Sequence, residues 1–307
     1  MTPSATERQA SASRGGLSRS VITDRHFLVT ASWPSLIVML AVTAVPFLVS
    51  IGLSLTDYDL VRSDTWKFIG LGNFADLIAD PHTPTIIFNT AYLVVGTTVA
   101  CTLVGMALAL LMDTGIRGIG LIRSLYLIPI MTAPIVVALT WRAMFNNDAG
   151  WINYFLSLVH LPQPVWLGDA VLAMPTVIIS DMWTGVPFMA VLLLAGLLAV
   201  PQDLKQAAQV DGASSWQVFR NVTLPSLRPV LFIAIVLKFM DGFRKFEGIQ
   251  ILTTGGPGYA STTLNLHIYN TGLFYDQVGY AASFGVVMVA MIAVSIGVIY
   301  LLIGRDR

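Results

Sequence analysis

Six long apolar runs alternate with shorter polar stretches along the chain. The runs are Ser32–Leu55, Ile86–Met112, Leu125–Phe145, Val171–Ala199, Val230–Phe246 and Tyr280–Ile303. A helix needs roughly 20 apolar residues to cross a hydrocarbon core, and each run approaches or exceeds that length. The pattern predicts an all-α integral membrane protein with six spans. The fifth run is the weakest, because Lys238, Asp241, Arg244 and Lys245 interrupt it.

A polar island, Lys205 to Pro229, separates the fourth and fifth runs. A helix-forming segment ends at Asp211 and Gly212, and Ser214 with Gln217 fits a capping box that would start a second helix. Pro225 and Pro229 are then expected to end that helix, because proline lacks an amide donor. We call the island the elbow, since it predicts two short helices that meet at an angle.

The fourth run carries a stripe of polar and aromatic residues on one helical face. Asp181, Thr184, Gly185 and Phe188 are spaced i, i+3, i+4 and i+7. A charged residue inside a span costs a few kcal/mol unless it faces protein or water, so Asp181 is a functional candidate. The stripe indicates either a path-lining face or a satisfied hydrogen bond between helices, and the sequence leaves both open.

The fifth run repeats this spacing with charges, at Lys238, Asp241, Gly242 and Lys245. Asp241 can pair along the helix with either lysine, which lowers the cost of burying them. One interpretation is the wall of a wet cavity. The other ends the span near Met240 and places the charges in the membrane interface.

Small residues and prolines predict how the second and third runs pack. Gly96 and Gly105 in the second run allow close helix contact in lipid. Pro129 and Pro134 in the third run predict a kinked helix within the bundle, because proline is tolerated in a span where neighbours satisfy the freed carbonyls.

Composition and charge narrow the function. The chain is 55% hydrophobic and 11% charged, against roughly a quarter charged in a soluble domain. The 17 Lys and Arg residues equal the 17 Asp and Glu residues, so net charge does not indicate nucleic acid as a partner. Cys101 is the single cysteine and is interpreted as a packing residue.

Positive residues predict the orientation. With residues 1–31 read as a disordered cytoplasmic tail and residues 32–304 as the membrane domain, 11 of the 17 Lys and Arg residues fall on the cytoplasmic side. Both termini and the loop at 203–229, which contains the elbow, are then cytoplasmic.

Familiar catalytic and metal-binding patterns are missing from the sequence. No glycine is followed by lysine, so the phosphate-binding GxxxxGK[ST] loop is absent. The four histidines, His26, His82, His160 and His267, are far apart in the sequence. We expect no catalytic residue, no metal site and no cofactor in this chain.

The elbow carries the clearest motif. Gln206-Ala207-Ala208 is followed after three residues by Gly212, and after nine more by Val222-Thr223-Leu224-Pro225. This spacing resembles the EAA loop of ATP-binding-cassette importer permeases. Gln206 stands where that family commonly has glutamate. Further motifs in order resemble the binding-protein-dependent sugar permeases of the maltose-permease-like branch: Gly70–Phe74, Asn89-Thr90, Leu127–Pro129, Trp141, Leu252–Pro257 and Tyr269.

The resemblance implies a six-span type I importer domain and a set of site residues. Contact with the ATPase would involve Gln206, Ala207, Ala208, Asp211, Gly212 and Ala213. The substrate path would involve Thr184, Gly185, Phe188, Lys238, Asp241, Gly242 and Lys245, which joins the two faces derived from periodicity, with Asp181 added by periodicity alone. The charges leave open a polyol, an anionic sugar or an internal ion pair.

The resemblance also implies partners. These are a second homologous permease, two ATPase subunits that bind ATP and Mg²⁺, and an extracytoplasmic sugar-binding protein, in a bacterial cytoplasmic membrane. The expected function is ATP-driven import of a sugar or related polyol by alternating access, without catalysis by this chain. Two alternatives are an ion-coupled secondary transporter, with Asp181 and Asp241 binding the ion, and a membrane scaffold that recruits an ATPase.

Overall fold

The structure, a computed structural model, describes residues 25–62, 66–114 and 119–301. Part of the predicted tail, residues 1–24, lies outside these ranges. So do Arg117 and the residues after Leu301. The chain divides at Ser50 into two compact units. The first helix, α1, spans Arg25–Ser54 and so begins before the predicted start at Ser32.

The described part of the chain after α1 is almost entirely helical. The helices are α2 (Gly72–Ala79), α3 (Thr83–Asp113), α4 (Ile119–Met131), α5 (Pro134–Met144), α6 (Trp151–Leu158), α7 (Ala173–Ala199), α8 (Gln202–Val210), α9 (Ser215–Arg244), α10 (Glu247–Leu252), α11 (Leu264–Tyr269) and α12 (Val278–Ile299). Among described residues the β-structure is limited to one isolated bridge, between Thr56 and Phe68.

Five described helices are long and apolar enough to cross a membrane, and the third predicted run is broken. The five lie within α1, α3, α7, α9 and α12, while α4 and α5 meet at an angle of 95°. The break lies at Ala133, whose backbone is extended (φ −60°, ψ 133°). A residue before proline avoids the α-helical region, so Pro134 ends α4 and begins α5. The predicted kink is therefore a sharp break, and counting the pair as one span gives six.

The elbow prolines do not end the second helix, contrary to the sequence-based expectation. Five residues, Phe219–Thr223, form a wide π turn, and the helix then continues from Leu224 to Arg244. Pro225 lies in the first turn after this widening, and Pro229 lies inside the helix. The π turn changes the local hydrogen-bond register, and Leu224 donates to the carbonyl of Phe219, five residues back. The chain therefore passes from elbow to span as one helix, α9.

The predicted close helix contact at the glycines of α3 is confirmed, and the structure identifies α7 as the partner helix. A Cβ added at Gly105 would lie 2.7 Å from Cβ of Met189 and 3.1 Å from the backbone nitrogen of Ala190. A Cβ at Gly96 would lie 2.8 Å from Cδ1 of Ile178. In lipid, such close backbone approach supplies the dispersion contacts that hold helices together.

Two asparagines fix the loops that follow the spans. Asn73 donates to the carbonyls of Ser54 and Thr56, at 2.8 and 2.7 Å, and so binds α2 to the chain leaving α1. Asn89 on α3 donates to the carbonyls of Tyr259 and Thr262, at 2.7 and 3.2 Å. The turn before α11 is thereby attached to α3.

Candidate functional site

A cavity of about 410 Å³ lies between α7 and α9, beside the break between α4 and α5. Seven of the eight predicted path residues line it: Asp181, Thr184, Gly185, Phe188, Lys238, Asp241 and Lys245. The two helical faces that were predicted separately, one on the fourth run and one on the fifth, therefore meet around one cavity. Gly242 does not line the cavity, because it faces α3, where an added Cβ would lie 3.2 Å from Cα of Val94.

Four of the lining residues form a closed network of ion pairs. Lys238 Nζ lies 2.7 Å from Asp181 Oδ2 and 3.2 Å from Asp241 Oδ2. Lys245 Nζ lies 2.7 Å from Asp181 Oδ1 and 3.1 Å from Asp241 Oδ2. Each carboxylate contacts both ammonium groups, so the four charges cancel within the network.

The network crosses from α7 to α9. Asp181 is on α7, Lys238 and Asp241 are on α9, and Lys245 follows the last residue of α9. The helix continues past Met240 to Arg244, so Asp241 and Arg244 lie on the same helix as Lys238. Lys238 is 1% exposed and Asp181 8%, whereas Asp241 is 44% exposed and faces the cavity. The buried half of the network joins the helices, and Asp241 remains accessible.

Gly185 makes room for the buried half of the network. A Cβ added there would lie 2.9 Å from Lys238 Nζ and 2.6 Å from Cys101 Sγ. The lysine can therefore reach Asp181 only because the intervening residue on α7 has no side chain. Cys101 is buried in the adjoining apolar core, as its interpretation as a packing residue requires.

Sequence reasoning missed several lining residues. Arg244 and Glu247 add one charge of each sign to the cavity, and Thr132 and Pro134 line it from the break between α4 and α5. Glu247 begins α10, after the chain has left α9, so helical periodicity could not place it. The two prolines of the third run were the available signal for Thr132 and Pro134. They predicted a bend in the helix but not the position of that bend.

The elbow has the predicted turn geometry. Helix α8 ends in a Schellman motif: Ala213 N–H donates to Ala208 O and Gly212 N–H to Gln209 O, both at 3.0 Å. Gly212 has φ +83°, a backbone conformation that favours glycine. The predicted capping box is confirmed, with Ser214 N–H donating to Gln217 Oε1 at 2.7 Å.

The predicted contact residues of the elbow differ in exposure. Gln206, Ala207, Asp211 and Gly212 are exposed, and Ala208 and Ala213 are half-buried. A Cβ added at Gly212 would meet no atom of the described chain within 4 Å, so the space beside it is open.

Among the described residues, no group of three or more His, Cys, Asp or Glu side chains could hold a metal ion.

Comparisons with known proteins agree on one family. Residues 20–306 match the family described as "Binding-protein-dependent transport system inner membrane component". The trehalose/maltose transport system permease protein MalF of Thermococcus litoralis is 34% identical over 275 residues, which cover 89% of this chain and 92% of that protein. The trehalose transport system permease protein SugA of Mycobacterium tuberculosis is 34% identical, over 80% of this chain and 78% of its own.

A solved structure has the same fold. A chain of a bacterial ABC transporter involved in the import of the acidic polysaccharide alginate superposes with a TM-score of 0.78, covering 98% of this chain and 99% of its own. Its sequence identity is 21%. A second structure, of the alginate transporter in complex with an alginate pentasaccharide-bound periplasmic protein, gives a TM-score of 0.77 at 20% identity, covering 91% and 94%.

Proposed function

The chain belongs to the binding-protein-dependent transport system inner membrane components, and on that premise we propose how it acts in its transporter. It is the permease subunit of a carbohydrate importer of the ATP-binding-cassette type, embedded in the membrane. Relatives that are named for trehalose and maltose transport support a sugar as cargo.

We propose that the cavity between α7 and α9 is a section of the sugar path. The single observation that carries this assignment is the meeting of the two predicted faces around one space of about 410 Å³. Phe188 can stack on the apolar face of a sugar ring, and Asp241 can accept hydrogen bonds from hydroxyl groups. The lining charges comprise three carboxylates and three cations, which favours an uncharged sugar or polyol over an anionic one.

The elbow is the proposed docking point for an ATPase. An exposed surface around the turn is formed by Gln206, Ala207, Asp211 and Gly212. Ala208 and Ala213 are half-buried, and the backbone hydrogen bond between them fixes the turn. Two such ATPase chains would bind ATP and Mg²⁺, and the elbow and both termini would be cytoplasmic. A second homologous permease would complete the path, and an extracytoplasmic binding protein would deliver the sugar.

The proposed mechanism is alternating access. ATP binding draws the ATPase subunits together, the elbow moves with them, and α7 and α9 tilt to open the cavity toward the binding protein. Hydrolysis returns the helices to the starting arrangement. Asp181 and Asp241 are both paired with lysines, which argues against a role for them as binding sites of a coupling ion.

Replacement of Phe188 by alanine tests the path assignment. Loss of the ring should lower sugar uptake by the reconstituted transporter about two- to tenfold, the range expected for one aromatic contact. Asp241→Ala should also lower uptake, and both variants should retain ATP hydrolysis in the absence of sugar.

Phe88→Ala is the matched control, since that ring is exposed on α3, away from the cavity. Wild-type uptake and wild-type sugar-stimulated ATP hydrolysis in both Phe188→Ala and Asp241→Ala would overturn the assignment.

A further inference from the structure

An ion pair ties the elbow to α3. Lys205 on α8 and Asp113 at the end of α3 lie 92 residues apart in sequence, and Lys205 Nζ is 3.0 Å from Asp113 Oδ2. Their side chains are only 14% and 19% exposed. Water screens a pair shielded to this extent less than it screens an exposed surface pair.

The ammonium group of Lys205 stabilises the carboxyl end of α3. The carboxyl end of a helix carries a partial negative charge, so the carboxylate of Asp113 at that end is unfavourable without a neighbouring cation. Lys205 supplies one charge, and Arg123 of α4 donates to the carbonyl of Met112 at 2.9 Å. Two cations from two other helices therefore hold the last turn of α3.

Helix α3 also contacts both cavity helices. Gly105 allows α7 to approach so closely that an added Cβ would lie 2.7 Å from Cβ of Met189. On the other side, Gly242 of α9 packs against Val94 of α3. Because close-packed interiors are barely compressible and transmit strain, we expect a displacement of α3 toward α7 or α9 to move those helices as well.

We propose that the Lys205–Asp113 ion pair is a mechanical link that carries the movement of the elbow into α3. The elbow is joined covalently to α7 and α9, and the ion pair adds α3, so that three helices around the cavity move together. Lys205 and Asp113 are positioning residues, since neither lines the cavity. This inference rests on the proposed docking of an ATPase at the elbow.

The test is the number of sugar molecules imported per ATP hydrolysed by the complete transporter in proteoliposomes. Asp113→Asn and Lys205→Gln should each lower this ratio at least about threefold, the effect of losing a weak to moderate coupling free energy. ATP hydrolysis itself should continue, because the ATPase contact surface is intact. Asp113→Glu keeps the charge and should keep the ratio near that of the wild type.

The exchange variant, Asp113→Lys with Lys205→Asp, separates a specific pair from a general loss of stability. It should recover at least half of the ratio that the single variants lose. Asp203→Asn is the matched control, because Asp203 is an exposed carboxylate in the first turn of α8, and it should behave as the wild type. Unchanged ratios in both single variants, or no recovery in the exchange variant, would overturn the inference.

A separate variant shows which claim fails. Ala207→Trp adds a large side chain to the exposed face of α8, away from the ion pair, and should prevent ATPase binding. If ATPase binding and uptake persist in Ala207→Trp, the docking proposal is wrong. If Ala207→Trp blocks both and the Asp113 and Lys205 variants are unaffected, the docking proposal stands and the link is wrong.

Discussion

Lys238 is a charged residue with 1% exposure inside a helix that can cross a membrane. Insertion of an isolated lysine at the centre of a membrane helix costs about 2.5–3.5 kcal/mol. Asp181 and Asp241 offset that cost, with ammonium-to-carboxylate distances of 2.7 and 3.2 Å. The free-energy cost of burying Lys238 therefore stays low only while α7 and α9 are close enough for Asp181 to contact it. The Lys238–Asp181 ion pair thus couples the two helices that border the cavity.

Gly185→Ala tests this dependence. The added methyl group would lie 2.9 Å from Lys238 Nζ and 2.6 Å from Cys101 Sγ, so the lysine and α7 must shift apart. We expect the variant to lose about 1–3 kcal/mol of stability, the usual cost of overpacking, with a lower thermal unfolding midpoint of the purified transporter.

Gly285→Ala is the control for this substitution. Gly285 also lies in a spanning helix, α12, but a Cβ there would have no neighbour within 4 Å. Its unfolding midpoint should equal or slightly exceed that of the wild type, because alanine favours helix over glycine. Equal midpoints for the two variants would contradict the role of Gly185.

Helical spacing was sufficient to find the residues on each face of the site, but insufficient to find their partners. The spacing of Asp181 with Phe188, and of Lys238 with Lys245, follows from 3.6 residues per turn. Whether Asp181 meets both lysines depends on how α7 and α9 pack, which local sequence does not encode. Gly242 shows the same limit, because it shares the spacing of the charged face yet contacts α3.

Among the elements, the Asn89-Thr90 pair of α3 holds the chain that returns before α11. Thr90, beside Asn89 on α3, accepts a hydrogen bond from the backbone N–H of Leu264 at 2.8 Å. With the two bonds that Asn89 donates, three contacts fix the returning chain to α3. The ring of His82 stacks on Tyr259 at 3.9 Å in the same region.

Asn89→Ala should loosen the turn before α11. The substitution leaves the carbonyls of Tyr259 and Thr262 without this donor, at a cost of about 1–3 kcal/mol for groups shielded from water. We expect faster amide hydrogen exchange at residues 259–264 and a lower unfolding midpoint.

Asn265→Ala provides the comparison, because Asn265 donates a single exposed bond to the carbonyl of Arg244. Its effect on exchange at residues 259–264 should be small, since water replaces an exposed partner. Indistinguishable exchange in the Asn89 variant and the wild type would show that the asparagine does not hold the turn.

Element boundaries were predictable where a local signal decides them. Gly212 sets the end of α8, and the capping box at Ser214 sets the start of α9, in both cases through short-range hydrogen bonds. Proline was a weaker signal. Pro134 breaks the third run, whereas Pro225 and Pro229 are accommodated in α9 after a π turn that the sequence pattern does not reveal.

At the scale of the whole molecule, the order of elements gives the elbow a short route to the cavity. The elbow joins α7 directly to α9, and these two helices carry the ion-pair network and Phe188. The number of apolar runs predicted the membrane fold, because burial of backbone polar groups in lipid leaves few structures other than helices. The break between α4 and α5 and the choice of contacting helices required tertiary structure.

One uptake measurement distinguishes ATP from an ion gradient as the source of energy for transport. Proteoliposomes would contain this permease with the proposed partner permease and ATPase chains. ATP would be enclosed inside them, and sugar-loaded binding protein would be added outside. We predict uptake that stops when internal ATP is removed and continues when an uncoupler collapses the ion gradients. Uptake that persists without ATP and stops with the uncoupler would contradict the account and identify an ion-coupled transporter instead.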